Sequence, residues 1–171
     1  MVVEPYTLRN LVAPLSQPEV SAVVGPVGAL NEENRITKGT SLEYTYYSGA
    51  GLLYEIRERL GQEQANLPAK NFCIRKDLLK SLGGFDETSL TEDFSLTFKL
   101  KEQGRHVAFS PKAVAKELVP NNWESFSAQR KRWATGWNEE NKEYMARTKE
   151  KGKAVRGLIN FLIQGNLAIF T

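Results

Sequence analysis

Hydrophobic and polar positions change along the chain in short blocks, and these blocks predict strands and helices in alternation. Runs of β-branched and apolar residues between prolines or glycines indicate strands, whereas apolar residues three or four apart indicate helices. The predicted strands are 20–27, a short extended piece around 72–74, 105–109 and 114–118. The predicted helices are 5–15, 41–60, 76–82, 91–103 and one from 123 past 137, with 31–38 as a loop. This alternation predicts an α/β fold built in layers.

Capping residues support several of the predicted helix ends. Gly83 and Gly84 follow the helix 76–82, at the position where a left-handed residue ends a helix. Thr91 is predicted to cap the helix that it precedes, and a glycine closes that helix at 104. Asn121 is predicted to cap the last helix, with Glu124 completing a capping box.

Composition narrows the class of protein. The 171 residues suffice for one domain with its own core. Basic residues outnumber acidic ones by 23 to 20, and the net charge of +3 argues against a nucleic-acid partner. The single cysteine, Cys73, excludes a disulfide framework, favours a reducing compartment and is expected to be a small buried hydrophobe. No apolar run reaches the ~18 residues that a membrane-spanning helix needs.

The last predicted helix carries polar and aromatic residues on the same face. On a helical wheel this face holds Phe126, Gln129, Arg132, Trp133, Gly136 and Trp137. Arg130, Lys131, Ala134 and Thr135 fall outside it. In one interpretation the face packs as an amphipathic helix with a snorkelling arginine. In the other it lines a ligand, with the Gln129 amide for hydroxyls, the Arg132 fork for phosphate oxygens and the Trp133 ring for a sugar.

Thr91, Glu92 and Asp93 open the helix that begins at 91, and two interpretations again stay open. First-turn carboxylates are stabilised by the helix dipole, which is a structural explanation. Alternatively, the three residues face a cleft in which a carboxylate accepts a proton from a substrate.

Other polar residues give weaker indications. The sequence has no Gly-rich phosphate loop, no Asp-x-Asp pair and no His, Cys and carboxylate cluster, so we assign no metal ligand. His106, the single histidine, is expected to be structural. Arg75 touches either a donor or a neighbouring carboxylate, and Asp86 is a turn residue or an acceptor contact. The lysine-rich stretch 142–153 predicts a solvated helix face, with attraction to a membrane surface as the alternative.

The order of these motifs resembles a known family. Asn71-Phe-Cys-Ile-Arg75 is followed by Gly83-Gly-Phe-Asp-Glu87, Thr91-Glu-Asp93, Gly104 and Gln129-Arg-Lys-Arg-Trp133. Together they are similar to the processive family 2 glycosyltransferases, which include the cellulose, chitin and hyaluronan synthases, over nearly the whole chain. Thr-Glu-Asp alone is a weak signal, whereas both motifs in this order, with Gly-Gly-Phe-Asp-Glu upstream, make a strong one.

The resemblance implies an inverting transfer of a sugar from a nucleotide-sugar donor to a glycan or lipid-linked acceptor. Mg²⁺ or Mn²⁺ is the implied cofactor, ligated mainly by an Asp-x-Asp motif that this chain does not contain. Asp93 would be the general base, and Glu92 would help to shape the site. Gln129, Arg132 and Trp133 would line the cleft, with Arg132 near the donor diphosphate and Trp133 under the acceptor sugar.

The resemblance also implies an organisation of the chain. Residues 1–150 would be the acceptor side, the C-terminal half of a GT-A catalytic domain with a mixed sheet flanked by helices. Residues 151–171 would be an interfacial segment or the start of a transmembrane segment, at the cytoplasmic face of the cell membrane. The isolated chain is expected to be inactive. The competing hypothesis is a non-catalytic carbohydrate- or membrane-binding fragment of a truncated or split glycosyltransferase.

Overall fold

The structure, a computed structural model, describes residues 1–45, 67 and 70–148. Its strands are β1 (Val2–Val3), β2 (Val20–Val24), β3 (Val27–Ala29), β4 (Phe72–Ile74), β5 (His106–Phe109) and β6 (Ala115–Glu117). Its helices are α1 (Thr7–Val12), α2 over residues 35–45, α3 (Lys76–Ser81), α4 (Glu92–Glu102) and α5 (Trp123–Thr148). A 3₁₀ turn (Ala13–Ser16) follows α1.

The described strands form two mixed sheets of three strands each. In one sheet β2 lies between β4, which is antiparallel to it, and β5, which is parallel. In the other sheet β6 lies between β1, which is antiparallel to it, and β3, which is parallel. Mixed sheets with flanking helices are the α/β architecture that the resemblance implied, and they are consistent with a GT-A domain.

Strand β2 is buried along its whole length, and its two faces enter two apolar clusters. Ala22 and Val24 belong to the larger cluster, whose other buried members are Leu67, Leu78, Leu82, Leu96, Leu100 and Val107. Val20 and Val23 belong to the smaller cluster, with Leu11 and Ala113. A register shift between Val20 and Ala22 lets positions 20 and 23 share a face despite the two-residue period of a strand. Cys73 packs against the smaller cluster, as expected for a small apolar side chain.

The link between β2 and β3 corrects the single strand predicted over 20–27. The extended run is interrupted at Gly25 and Pro26, and the strands on either side, β2 and β3, belong to different sheets. Asn71 stabilises the interruption, because its Nδ2 donates to the carbonyl oxygens of Pro26 at 3.0 Å and Ala113 at 2.6 Å. A β-carbon at Gly25 would lie only 2.1 Å from the Ala113 carbonyl oxygen, which leaves room for glycine alone.

Two predicted helix starts are also corrected. The loop predicted over 31–38 is wrong in its second half, because α2 begins directly after Asn34. Asn34 Oδ1 accepts from the amides of Ile36 at 2.9 Å and Thr37 at 3.0 Å, which is a side-chain cap. Helix α5 is capped by Asn122 rather than by Asn121, since Asn122 Oδ1 accepts from the amide of Ser125 at 2.9 Å.

Several other predicted elements are confirmed. Helix α1 with its 3₁₀ turn, helices α3 and α4, and strands β4, β5 and β6 lie within or close to the expected ranges. Gly83, Gly84 and Gly104 have φ values of 83°, 76° and 62°, the left-handed conformation expected after a helix. The two-residue strand β1 was not predicted.

Three sequence-based predictions lie wholly or partly outside the described residues. These are the continuation of the predicted helix 41–60 beyond residue 45, the segment 151–171, and most of the lysine-rich stretch 142–153. In the part of that stretch that the structure describes, Lys142 and Glu143 are exposed, as expected for a solvated face. Within the described residues, no helix combines the length and the apolar character that crossing a membrane requires.

Candidate functional site

The start of α4 packs directly against α5, and Thr91 is the point of contact. Thr91 is only 3% exposed. A β-carbon at Gly136 of α5 would lie 2.6 Å from Thr91 Oγ1 and 2.6 Å from its Cγ2. The glycine therefore lets the helix backbone approach the Thr91 side chain, which brings together the two motifs singled out in the sequence.

Thr91 occupies the predicted N-cap position of α4, but its side chain makes no capping hydrogen bond. Its Oγ1 is buried and has no hydrogen-bond partner among the described residues. The amide of Phe94, which a capping hydroxyl would normally accept from, donates to Asp93 Oδ1 at 2.9 Å. Thr91 is therefore the N-cap residue that the sequence predicted, but without a side-chain bond, and the Phe94 amide donates to the Thr91 carbonyl oxygen at 3.0 Å as well as to Asp93 Oδ1.

Arg132 of α5 reaches the residue before Thr91. Its Nη1 donates to the Leu90 carbonyl oxygen at 2.7 Å, while the side chain remains exposed. One guanidinium nitrogen is thus engaged with the protein. Because arginine carries five N–H donors, the group keeps donors for a second acceptor such as a phosphate oxygen.

Aromatic stacking extends the contact between α4 and α5. The rings of Phe94 and Trp137 have centroids 4.6 Å apart, and those of Phe98 and Tyr144 are also 4.6 Å apart and stacked. Such pairs add about 0.5–1.5 kcal/mol each beyond the burial of their area. Trp137 therefore packs, as the structural interpretation of this helix face expected.

Trp133 lies in a charged environment. The Arg130 guanidinium carbon is 4.3 Å from the centroid of the Trp133 ring, and Lys70 Nζ is 4.9 Å from it. Gln129 Oε1 accepts from Arg130 Nη1 at 3.2 Å. Two of the predicted cleft residues are thus joined through Arg130.

Arg130 itself corrects the helical-wheel prediction, which placed it outside the functional face. Its Nη2 is 2.5 Å from Glu43 Oε2 of α2, and the two side chains are only 13% and 15% exposed. Burial raises the pKa of Glu43, although the charge of Arg130 and its hydrogen bond oppose that effect. Arg130 therefore connects α5 to α2 beneath Trp133.

A second charged group joins α2 to β6 beside the same ring. Tyr44 donates its hydroxyl hydrogen to Glu117 Oε1 at 2.6 Å, and Lys70 forms an ion pair with the same carboxylate. Burial, followed by the hydrogen bond to Glu117, raises the pKa of Tyr44 far above its usual value. Tyr44 therefore stays protonated and keeps donating at every physiological pH.

Asp86 and Arg75 make local contacts. Asp86 Oδ1 accepts from the Thr88 amide at 2.9 Å and from the Thr88 hydroxyl at 2.6 Å, and these bonds lower the pKa of Asp86. This is the turn role that the sequence suggested. Arg75 donates to the backbone carbonyls of Leu15, Gln17 and Val20, which ties β4 to the segment before β2. Among the described residues its hydrogen-bond partners are thus backbone carbonyls rather than a neighbouring carboxylate.

Glu140 is a residue that sequence reasoning assigned to a solvated face and that the structure buries. It is 5% exposed, and its Oε1 accepts from the hydroxyl of Ser89 at 2.6 Å. Arg132, Gly136 and Glu140 are four residues apart and so follow one stripe of α5. That spacing was the available signal, and the surrounding charged residues obscured it.

A divalent cation does not fit the described residues as a complete site. No three His, Cys, Asp or Glu side chains among residues 1–45, 67 and 70–148 come together in a way that could hold a metal ion. Glu92 and Asp93, half-buried at the start of α4, are the acidic pair nearest to the Thr91 contact in the chain.

The sequence matches proteins and a protein family that are already known. Residues 2–168 match the family described as Glycosyl transferase family group 2. A Bacillus subtilis (strain 168) protein named "Probable glycosyltransferase YdaM" is 40% identical over 72 residues, which cover 42% of this chain and 17% of that protein. The poly-beta-1,6-N-acetyl-D-glucosamine synthase of Staphylococcus epidermidis is 26% identical over 122 residues, which cover 71% of this chain and 29% of that enzyme.

A synthase of the same name from Staphylococcus aureus (strain COL) is 25% identical over the same length of 122 residues. In each of these three relatives the match spans less than a third of the relative's own length. The similarity to these relatives therefore concerns one segment of each of them. The family match, over residues 2–168, includes the motifs from Thr91 to Trp133.

Proposed function

The chain belongs to glycosyl transferase family group 2, and from this premise we propose that it forms the acceptor side of an inverting glycosyltransferase. The proposed reaction moves a sugar from a nucleotide-sugar donor to a hydroxyl of a glycan or lipid-linked acceptor. The observation that carries the proposal is the packing of α5 on Thr91, with Gly136 at the contact, because it joins the Thr-Glu-Asp and Gln-x-x-Arg-Trp motifs in one place.

Asp93 is the proposed general base. It lies in the first turn of an eleven-residue helix, where the helix dipole favours a negative charge. In the proposed step the acceptor oxygen forms a bond to the anomeric carbon, and the bond from that carbon to the donor diphosphate breaks. The hydroxyl proton passes to the Asp93 carboxylate, and attack opposite the leaving group inverts the anomeric centre.

The remaining candidate residues have proposed binding roles. Arg132, which is exposed and bonded to Leu90 through one nitrogen, would bind the donor diphosphate. Trp133 would contact the acceptor sugar, and Gln129 would bind a hydroxyl. Glu92 would shape the site beside Asp93. The half-burial of Gln129 and Trp133 on α5 supports their placement at the edge of a cleft.

A divalent cation, Mg²⁺ or Mn²⁺, is the proposed cofactor, and it would neutralise charge on the departing diphosphate. The described residues do not supply its ligands, so these would come from elsewhere in the protein. We also propose that the protein acts at the cytoplasmic face of the cell membrane, with segment 151–171 at or in the membrane. Separation of membranes from soluble protein after expression of the full-length protein tests the location.

The names of two relatives suggest the first substrate to test. Both relatives are named as synthases of poly-beta-1,6-N-acetyl-D-glucosamine. Their alignments cover 71% of this chain. A nucleoside diphosphate N-acetylglucosamine is therefore the first donor to offer, followed by other uridine diphosphate sugars.

The decisive experiment is an Asp93→Asn variant of the full-length protein, assayed for sugar transfer with the donor and Mg²⁺. We expect transfer to fall at least about a hundredfold, as loss of a general base does, while donor binding by calorimetry remains. Asp77→Asn is the matched control, because Asp77 lies in the first turn of α3 and is exposed. Full activity of Asp93→Asn would refute the assignment of the base, and inactivity of the wild-type protein would support the non-catalytic alternative.

A further inference from the structure

Ser89 and Glu140 form a part-buried chain of hydrogen bonds that ends at the Thr91 backbone. Glu140 Oε1 accepts from the Ser89 hydroxyl at 2.6 Å, and Ser89 Oγ accepts from the Thr91 amide at 3.1 Å. A serine hydroxyl has one hydrogen to donate. Because the carboxylate takes that hydrogen, a lone pair of the Ser89 oxygen is left directed at Thr91.

This chain completes a three-point attachment of residues 89–91 to α5. Arg132 binds the Leu90 carbonyl, Gly136 abuts the Thr91 side chain, and Glu140 binds Ser89. Three successive residues before α4 are thus each fixed by one residue of a single helical stripe. A segment attached in this way has little freedom to shift along or away from α5.

The burial of Glu140, considered by itself, lowers the stability of the folded protein. Glu140 is only 5% exposed, and its Oε2 has no hydrogen-bond partner among the described residues. Taking a carboxylate out of water without full hydrogen bonding costs stability, and an apolar side chain of similar size would avoid that cost. The hydrogen bond to Ser89 is the interaction that only a polar acceptor at this position provides.

We propose that Ser89 and Glu140 are positioning residues that set the place of Asp93 relative to α5. Asp93 follows Thr91 by two residues, so any displacement of the Thr91 backbone is passed to the first turn of α4. This inference rests on the proposed function, because it concerns the base of the proposed reaction. A shift of the reacting groups by about 1 Å can reduce catalysis by about a hundredfold.

Two measurements on the full-length protein test the proposal, and the first of them is independent of the proposed function. The first is hydrogen exchange at the Thr91 amide in Ser89→Ala and Glu140→Leu, with Glu139→Gln, a change at an exposed neighbour, as the control. We expect exchange at Thr91 to quicken by about tenfold or more in both variants, as an amide does when its hydrogen bond is lost. This measurement needs no catalytic activity.

The second measurement is the kinetics of sugar transfer. We expect kcat to fall by about tenfold in Ser89→Ala and Glu140→Leu, with both KM values within about twofold, since positioning rather than binding is lost. Glu140→Gln keeps an oxygen acceptor for Ser89 and should recover most of kcat.

The outcomes are distinguishable. Unchanged exchange at Thr91, or faster exchange with unchanged kcat, overturns the positioning role. A wild-type protein without transferase activity contradicts the proposed function, whereas the exchange data still decide whether Ser89 and Glu140 hold the Thr91 backbone. If Glu140→Leu fails to fold, Ser89→Ala gives the same test, because it removes only one hydroxyl of a half-buried residue.

Discussion

Gly136 and Thr91 touch so closely that no β-carbon fits between them: it would lie 2.6 Å from Thr91 Oγ1, 2.6 Å from its Cγ2 and 3.1 Å from Leu90 Cβ. Two of these atoms belong to a side chain that is itself buried and so cannot swing away. The separation between α5 and the start of α4 is therefore set by the lack of a side chain at position 136.

Gly136→Ala should destabilise the protein even though alanine is the better helix former. In an open helical position this change stabilises by up to about 1 kcal/mol. Here the overpacking against Thr91 should outweigh that gain and give a net loss of about 1–3 kcal/mol. Chemical denaturation of both proteins measures the difference in the free energy of unfolding.

Gly39→Ala is the matched control, because Gly39 lies within α2 and a β-carbon there meets nothing within 4 Å. It should leave stability unchanged or raise it. Adding Thr91→Ser to Gly136→Ala removes Cγ2 and should recover part of the loss. Equal stability of the two alanine variants would contradict the close contact.

Local sequence signals predicted much of the fold, because they act over a few residues. The ends of α3 and α4 were predicted from the glycines that follow them, and β5 from its apolar run, without information from distant parts of the chain. The start of α2 was missed although Asn34 and Thr37 are a local capping pair, since the polar stretch around them suggested a loop. The break after β2 depends on Asn71, 46 residues beyond Gly25, and could not be predicted locally.

The sequence predicted the motifs of the candidate site but not the buried charged contacts that hold them in place. The wheel correctly placed Gly136 and Arg132 on the face that meets Leu90 and Thr91. It was wrong to leave Arg130 outside, because Arg130 follows Phe126 by four residues and precedes Trp133 by three, which are spacings of a shared helix face. Which charged residues are buried depends on partners far apart in sequence, and the spacing of residues along one helix does not identify those partners.

Loss of the ion pair between Arg130 and Glu43 should make the stability of an Arg130→Met variant strongly dependent on pH. Burial already raises the pKa of Glu43, and loss of Arg130 removes the attraction that opposes this, so the pKa rises further. A carboxyl with a raised pKa contributes stability below its unfolded pKa and loses that contribution as pH rises through the folded pKa. Arg130→Met should therefore be close to wild type near pH 4 and less stable by about 2 kcal/mol at pH 8.

Thermal unfolding across this pH range checks the prediction. Adding Glu43→Gln removes the buried charge, so the double variant should regain most of the stability at pH 8. Lys131→Met, at the exposed neighbouring position, should show no such dependence. A loss that is equal at both ends of the range would mean that Arg130 acts through packing on Trp133 and Phe126 alone.

Asn34→Ala should cost about 1–2 kcal/mol of stability, as loss of a helix cap does. Asn34 Oδ1 accepts two amide hydrogens at the start of α2, and its Nδ2 donates to the Asn121 carbonyl at 2.7 Å. Asn34→Asp keeps the capping oxygen but loses the amide donor, so it should cost less than alanine. Denaturation of both variants, with Glu33→Ala as an exposed control, separates the cap from the link to Asn121; equal losses would assign the whole effect to that link.

Arg132→Lys should weaken donor binding more than it weakens folding. Lysine keeps the charge but lacks the planar fork, so it cannot hold the Leu90 carbonyl and a diphosphate together as arginine can. We expect the donor KM of the full-length protein to rise by about tenfold, the loss of one charge-assisted hydrogen bond, with little change in melting temperature because the side chain is exposed. Lys131→Ala removes a neighbouring exposed charge and should leave the donor KM unchanged. If both variants raise it equally, the effect comes from the overall positive charge of α5, and Arg132 has no specific part in holding the diphosphate.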